Sequence, residues 1–291
     1  MEVLLIMSQR IAIVGGGRIG EALLAGLLES GTQVKDLVVV EHSAARAAEI
    51  ADTYGVLTTD LTTAVEGASV VVVAVKPKDV DGVIEALSRL DDDDDLEHVI
   101  VSLAAGVTIS HYENKLPAGF PIIRVMPNTA MLVGESMSGV SAGRFASQEN
   151  IDLVVAMMSS VGKVLVVPES QMDAVTAISG SGPAYAFFLA EAMVDAGVGL
   201  GLTRAQATQL AAQTIKGAGI LLTDSGSSPT DLRAAVTSPG GTTAAALREF
   251  ERHAVRSAVN EAAFACAARS AEGAGGASAS SEGAAVSPDR S

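Results

Sequence analysis

The sequence predicts an α/β fold, in which an N-terminal doubly wound parallel sheet is followed by an all-helical domain. Up to Val125, short Val- and Ile-rich runs alternate with longer segments of helical period, as in βαβ units whose sheet is buried on both faces. A glycine-rich turn follows the first of these runs. After Ser170 the β-branched runs disappear, and Ala, Met and Leu dominate.

Seven apolar runs in the first part are predicted to be strands. The first five are Ile11–Val14, Leu37–Val40, Val70–Val75, Val99–Leu103 and Ile122–Val125, and Met137–Val140 and Val164–Val167 extend the same sheet. Helices are predicted between them at about Ile19–Glu29, Ala44–Thr53, Asp79–Arg89, Ile109–Lys115 and Glu149–Ser159.

The second part contains three long helical patterns, at about Pro183–Val198, Arg204–Thr223 and Thr242–Ala268. They are rich in alanine and poor in aromatic residues, so that a small isolated bundle would bury little apolar surface. We therefore expect a homo-oligomer. The predicted domains are residues 8–168 for the sheet, 169–269 for the helices and 270–291 for a disordered tail of Gly, Ala and Ser.

Composition narrows the possible function classes. The chain carries 34 acidic and 19 basic residues and a formal charge of −15, which disfavours nucleic acid as a partner. Uninterrupted runs of about eighteen apolar residues are missing, so we expect no membrane span, and Val3–Met7 is too short for a signal sequence; this predicts a cytoplasmic protein.

Cys266 is the single cysteine. The run Asp91–Asp95 is interpreted as a solvated loop, and no metal site is expected.

A glycine loop directly after the first predicted strand indicates a dinucleotide cofactor. The pattern G-x-G-x-x-G opens the following helix, where small residues and free amides allow a pyrophosphate to approach. Its residues are Gly15, Gly16, Gly17, Arg18, Ile19 and Gly20.

The residues after the second strand leave the cofactor as NADPH or NADH. Glu41 stands where an acid usually accepts hydrogen bonds from the ribose 2′-hydroxyl of NAD, which favours NADH. His42 and Arg46 follow closely, and they could instead face a 2′-phosphate, as could Arg18 in the loop. A further possibility is that Glu41 is only a solvated strand end.

Later strands end at the same predicted carboxyl edge, where ligands bind in open α/β folds. Small or uncharged residues at these ends leave room for a nicotinamide. For Lys76 two interpretations stay open, contact with the cofactor and extension into solvent at a strand end. The residues predicted to line the cofactor are Ala74, Val75, Lys76, Pro77, Leu103, Ala104, Ala105 and Asn128.

Glycine-bearing junctions precede the long helices at Ser179–Tyr185 and Thr237–Thr243. The second is the more informative, because Gly240 and Gly241 can expose consecutive amides at a helix N-terminus, which suits a carboxylate. Hydroxyls are available beside them on Ser238, Thr242 and Thr243. The alternative is a helix cap without a ligand.

These motifs together resemble the pyrroline-5-carboxylate reductase family. The segments GGGRIG, AVKP, RVMPN, SGSGPAY and LRAAVTSPGGTTAAAL occur in the family's order and spacing, and the resemblance covers about residues 10–269. It implies a Rossmann domain with a helical dimerisation domain, dimers that commonly assemble into decamers, and a pocket built from two subunits. It also implies that the amides of Gly241–Thr243 bind the substrate carboxylate and that the Thr243 hydroxyl holds the ring nitrogen, as the catalytic residue. Glu41 departs from the small polar residue of many NADPH-preferring members.

The activity implied is NAD(P)H-dependent reduction of 1-pyrroline-5-carboxylate to L-proline. A cyclic imine can be protonated in solution, so that no strong general acid is required, and Pro183–Val198 carries no Lys, His or Arg. One alternative is a related two-domain hydroxy or keto acid dehydrogenase, which would use a lysine on that helix. Another is a non-catalytic dinucleotide sensor, which would have no reason to keep hydroxyls around an anion site at Ser238–Thr243.

Overall fold

The structure is a computed structural model that describes residues 9–89 and 98–276. The chain separates into two compact units. One contains the described residues up to Gly180 together with those from Cys266 on, and the other is Ser181–Ala265. The run Asp91–Asp95, interpreted above as a solvated loop, lies outside the described residues.

The first unit is built on an eight-stranded sheet in the order β3-β2-β1-β4-β5-β6-β7-β8. Neighbouring strands are parallel except for the antiparallel pair β6 and β7. This confirms the predicted doubly wound sheet. The order in which the strands are added reverses between β1 and β4. The strands are β1 (Ile11–Val14), β2 (Leu37–Val40), β3 (Leu57–Thr59), β4 (Val70–Val73), β5 (Val99–Ser102), β6 (Ile122–Met126), β7 (Ser136–Ala142) and β8 (Gly162–Val166).

Among the described residues up to Gly180, six helices lie between strands and a seventh follows β8. No helix of the described ranges is both long and apolar enough to cross a membrane. The seven helices are α1 (Arg18–Glu29), α2 (Ala44–Tyr54), α3 (Leu61–Val65), α4 (Val80–Ser88), α5 (Ile109–Glu113), α6 (Gln148–Ser159) and α7 (Met172–Val175). A π-helical turn, Thr176–Gly180, follows α7.

The central strands are continuous β-branched runs because helices cover both faces of the sheet. Every residue of β1 and β4 is buried. On one face, Leu23 and Leu27 of α1 pack in a cluster with Leu153 of α6. On the other, Ile84 of α4 and Tyr112 of α5 belong to a second cluster. The sheet therefore lies between two separate apolar cores.

Strand β3 and the helices α3 and α7 of the first unit were not predicted from the sequence pattern. Strand β3 has three residues and only one of them, Leu57, is apolar; the side chain is exposed at the sheet's edge. The short helix α3 follows directly after it. The strand predicted over Val70–Val75 ends earlier, at Val73, which is the last residue of β4 paired with β1 and β5.

The helical unit contains α8 (Gly182–Gly199), α9 (Arg204–Asp224), α10 (Pro229–Ala235), α11 (Thr242–Arg252) and the first part of α12 (Val255–Gly276). The single helix predicted over Thr242–Ala268 is wrong, since the chain breaks between α11 and α12, where Ala254 adopts a left-handed φ of +52°. Helix α10 was not predicted. Helix α12 continues past Arg269 to Gly276, so the disordered tail stays a prediction only for residues 277–291, which lie outside the described residues.

Little of the helical unit is buried. Within Ser181–Ala265, only Ala207 and Ala211 are buried. Helix α9 comes close to α8, because a Cβ added to Gly197 would lie 2.9 Å from the Cβ of Ala207. Large apolar side chains stay in solvent, with Phe188 at 75% and Phe264 at 78% exposure. Exposed apolar area on this scale typically marks a protein interface.

Tyr112 couples the stability of the first unit to alkaline pH. Its side chain is fully buried, and its hydroxyl lies 2.8 Å from Ser102 Oγ. Burial raises the pKa of Tyr112 to about 12 from an ordinary value of 10.0. A residue whose pKa is raised by folding contributes fully to the stability of the protein at pH values below its pKa in the unfolded chain. That stabilisation is lost as the pH rises towards the pKa of the residue in the folded protein.

We expect the free energy of unfolding to fall by about 1.4 kcal/mol per pH unit between about pH 10 and 12 through this residue alone. Tyr112→Phe should remove that part of the slope, as measured by urea unfolding of both proteins across this pH range. An identical alkaline slope in the two proteins would contradict it.

Candidate functional site

The glycine loop turns sharply at the carboxyl end of β1. Gly15 adopts a φ of +113°, and its amide donates to the carbonyl of Val40 at 2.8 Å. A Cβ on Gly15 would lie 2.8 Å from the carbonyl oxygen of Ala74, and one on Gly20 would collide with the carbonyl of Gly15. Both positions therefore need glycine for the backbone to pass between β2 and β4 and for α1 to start at once.

Gly17 is different, because the protein itself does not require its small size. Its φ is −71°, and a Cβ placed there would have no atom within 4 Å. Gly17 is also the N-cap of α1, with no side chain capping the helix. Free amides and open space in front of a helix N-terminus fit a pyrophosphate. Ile19 packs against the core, which leaves its backbone for any ligand contact, and Arg18 is exposed.

Glu41 is not a solvated strand end. Its side chain is 7% exposed, and its two carboxylate oxygens accept from the amides of Gly16 at 3.0 Å and Ser43 at 2.9 Å. A Cβ on Gly16 would collide with Ile50 Cδ1 and would lie 3.2 Å from Glu41 Oε2. The carboxylate is thus fixed against the glycine loop, where Gly16 has no room for a side chain. His42 Nδ1 lies 2.9 Å from Glu41 Oε1.

Arg46, predicted as one possible partner of a 2′-phosphate, is fully engaged within the protein. Its Nε donates to the carbonyl of Gly16 at 3.0 Å. Its Nη1 lies 2.7 Å from Glu49, and its Nη2 pairs with Glu21. The hydrogen bonds to Glu49 and Glu21 raise the pKa of Arg46. The guanidinium therefore ties α2 to α1 and to the loop.

The strands β4 and β5 bring their ends to the same edge as the glycine loop. The amide of Ala74 donates to the carbonyl of Val14 at 2.8 Å, and that of Leu103 to Val73 at 2.9 Å. Ala104 is buried beside Leu103, and its amide donates weakly to Ser102 Oγ at 3.4 Å. After Ala74, Val75 is half-buried, whereas Lys76, Pro77 and Ala105 are exposed.

The side-chain amide of Asn128, which follows β6, forms hydrogen bonds with backbone groups of the loops. Its Oδ1 accepts from the amide of Ala130 at 2.9 Å, and its Nδ2 donates to the carbonyl of Ser179 at 3.0 Å. Its own amide donates to Ser136 Oγ at 3.1 Å. The residue thereby joins the sheet's edge to the π-helical turn Thr176–Gly180, and a direct cofactor contact stays a prediction. The sequence did not predict the contacts of Asn128 with Ser179 and Ser136, because residues that pair in this way have no fixed spacing along the chain.

In the helical unit, the predicted substrate residues gather at the start of α11. Gly240 adopts a φ of +71°, and the amide of Gly241 donates to the carbonyl of Ser238 at 3.0 Å. Gly241 is the N-cap and no side chain caps the helix. The first amides of α11, including those of Thr242 and Thr243, therefore have no intrahelical acceptor. None of the nearby hydroxyls caps the helix, and the choice between a helix cap without a ligand and an anion site stays a prediction.

Helix α8 carries no Lys, His or Arg, so the lysine of the hydroxy acid dehydrogenases is missing there. No group of three or more His, Cys, Asp and Glu among residues 9–89 and 98–276 is placed to hold a metal ion. The arrangement offers amides, hydroxyls and open space at helix starts, which bind and orient anions.

Two family models match the chain. Residues 169–273 match pyrroline-5-carboxylate reductase dimerisation, and residues 10–106 match NADP oxidoreductase coenzyme F420-dependent. Among solved structures, a pyrroline-5-carboxylate reductase from Coxiella burnetii superimposes with a TM-score of 0.85 at 33% identity, covering 91% of this chain and 98% of that one. Plasmodium falciparum pyrroline carboxylate reductase with NADP bound gives a TM-score of 0.81 at 26% identity, covering 92% and 99%.

Sequence relatives agree with the structural ones. The pyrroline-5-carboxylate reductase of Mycobacterium tuberculosis is 53% identical over 281 residues, which cover 90% of this chain and 95% of that protein. The one from Methanosarcina acetivorans is 36% identical, covering 91% and 98%. At this identity and coverage, the chain belongs to the pyrroline-5-carboxylate reductase family.

Proposed function

We propose that this protein uses NADPH or NADH to reduce 1-pyrroline-5-carboxylate to L-proline, the last step of proline biosynthesis. The observation that carries the proposal is the uncapped start of α11, where the glycines and hydroxyls of the family motif meet free helix amides. An uncapped, glycine-flanked helix N-terminus binds carboxylates well. A sensor that only bound a dinucleotide would gain nothing from this second anion site.

The cofactor would be held at the carboxyl edge of the sheet. The open space at Gly17 and the uncapped start of α1 fit a pyrophosphate, which is common to both nicotinamide cofactors. Bound there, NAD(P)H supplies the hydride. The proposed contacts are Gly15, Gly16, Gly17, Arg18, Ile19, Gly20, Glu41, Ala74, Val75, Lys76, Pro77, Leu103, Ala104, Ala105 and Asn128.

The substrate would be held by Ser238, Gly240, Gly241, Thr242 and Thr243. The first amides of α11 anchor the carboxylate, and the Thr243 hydroxyl holds the ring nitrogen by a hydrogen bond. Because an imine nitrogen can take its proton from solvent, the chain's residues need only orient the ring. Positioning of this kind lowers a barrier by roughly 7–11 kcal/mol at best.

Self-association belongs to this function. The helical unit leaves its aromatic side chains in solvent, which supports burial against a second copy. We propose that dimers assemble further into decamers and that the substrate pocket is shared between subunits. The domain assignment stays part of the proposal: residues 8–168 bind the dinucleotide, 169–269 dimerise and bind substrate, and a tail follows. A cytoplasmic location is likewise proposed from composition alone.

Turnover tests the function and the role of Thr243 together. The purified protein, mixed with 1-pyrroline-5-carboxylate and either NADH or NADPH, should consume the reduced cofactor. Thr243→Ala should lower kcat by roughly tenfold or more and leave the cofactor dissociation constant unchanged, because one substrate hydrogen bond is lost. Thr243→Ser keeps the hydroxyl and should retain most of the activity.

An unchanged kcat in Thr243→Ala would remove this role for the hydroxyl. Cofactor binding without consumption of cofactor on the imine would instead support the sensor, and consumption on hydroxy or keto acids alone would support the dehydrogenase.

Gly17 tests the cofactor site. Gly17→Leu should raise the dissociation constant of NADH and NADPH by at least about tenfold, because the side chain occupies the open space before α1. The thermal unfolding midpoint without cofactor should hardly change, since no protein atom lies within 4 Å of the added Cβ. Gly82→Leu is the matched control, because Gly82 in α4 is also free of neighbours within 4 Å. Equal affinity in the Gly17 and Gly82 variants would contradict the site.

Phe188 tests the interface. Phe188→Asp should shift the protein towards smaller species in sedimentation velocity and lower its thermal midpoint, because a charge is desolvated when this exposed ring's surface is covered. Leu57→Asp is the control, because Leu57 is an exposed apolar residue on the edge strand of the other unit. The proposal is overturned for this surface if Phe188→Asp sediments like the unmodified protein.

A further inference from the structure

Glu41 places a fixed negative charge beside the glycine loop. The carboxylate lies at the carboxyl end of β2 with 7% of the side chain exposed, and the amides of Gly16 and Ser43 hold its two oxygens. Of the two forms of the cofactor, only NADPH carries a phosphate at the 2′ position of the adenosine ribose. In folds of this kind, the end of the second strand is where that ribose is recognised.

A 2′-phosphate and this carboxylate would repel each other. Like charges brought together in a partly buried place weaken binding unless one of them is neutralised or moves. Glu41 cannot move without leaving the buried Gly16 amide without its acceptor, because that amide donates to Glu41 Oε2. The ribose hydroxyls of NADH, in contrast, can donate to a carboxylate.

The nearby cations do not cancel this charge. Arg46 is occupied by Glu21, Glu49 and the carbonyl of Gly16. His42 is 97% exposed, so that any charge on its ring is screened by solvent. Arg18 is exposed and follows Gly17 at the start of α1, where a cation favours the pyrophosphate that both cofactors share.

We infer that this protein selects NADH over NADPH and that the carboxylate of Glu41 determines the selection. The inference rests on the cofactor site proposed above and deepens it. It makes Glu41 a specificity-determining residue, with the Gly16 and Ser43 amides keeping the carboxylate in position.

The experiment compares equilibrium binding of NADH and NADPH to the full chain by fluorescence of the reduced nicotinamide, without substrate. The unmodified protein should bind NADH about tenfold or more tightly than NADPH. Glu41→Gln keeps the size and an oxygen acceptor and removes the charge, so the ratio of dissociation constants should fall several-fold. Glu41→Ser, which also makes room, should bring the two affinities together or reverse them.

Two control variants separate selection from general binding. Arg18→Ala should weaken both cofactors by a similar factor and leave their ratio unchanged. Glu29→Gln, an exposed carboxylate at the end of α1, should change neither affinity. Thermal unfolding of each variant reports whether it folds. If Glu41→Ser does not fold, Glu41→Gln still tests the inference.

Equal or tighter binding of NADPH by the unmodified protein would overturn the inference, as would a ratio that Glu41→Gln leaves unchanged in a folded protein. These outcomes are distinct from failure of the proposed function. A protein that binds NADH selectively but never reduces the imine keeps the selection and loses the activity, whereas a protein that reduces the imine equally well with NADPH loses the selection alone.

Discussion

The close approach of backbone to backbone at Gly15 is the constraint on which the cofactor edge depends. The amide of Gly15 is bound to β2, and its Cα lies against the carbonyl of Ala74 at the end of β4. No side chain fits between these two contacts. The chain must therefore turn at once into α1, with Gly20 packed onto the same turn. The free amides of α1 face outwards because the turn is this tight.

A network of polar contacts then shapes this edge. Glu41 accepts from the loop and from the start of α2, while Arg46 links α2 to α1. Asn128 links backbone segments after β6 in a similar way, because its side-chain oxygen accepts from one backbone amide and its side-chain nitrogen donates to a backbone carbonyl. Buried groups of this kind are stabilising only when every partner is present, so a change in one of them alters the geometry of its neighbours.

The helical unit is organised on another principle. Its helices contact one another through small residues, such as Gly197 against Ala207, and such contacts bury little apolar area. At about 25 cal/mol for each Å² of apolar surface, a bundle with two buried alanines gains little hydrophobic stabilisation by itself. Self-association would bury the apolar side chains that this unit leaves exposed.

The sequence by itself determined the fold class, most strand and helix positions, the glycine loop, the helix start at Gly241 and the family. These follow from local rules: residue period, glycine spacing and the order of motifs along the chain. It left Glu41 open between a solvated end, a ribose acceptor and a neighbour of a phosphate, and it read Thr242–Ala268 as one helix. Only the tertiary structure decided that Glu41 is anchored by Gly16 and Ser43, that Arg46 is engaged by Glu21 and Glu49, and that Ala254 breaks the last helix. The reason is physical: hydrogen bonds between residues distant in sequence, and a single left-handed residue, leave no periodic pattern in the chain.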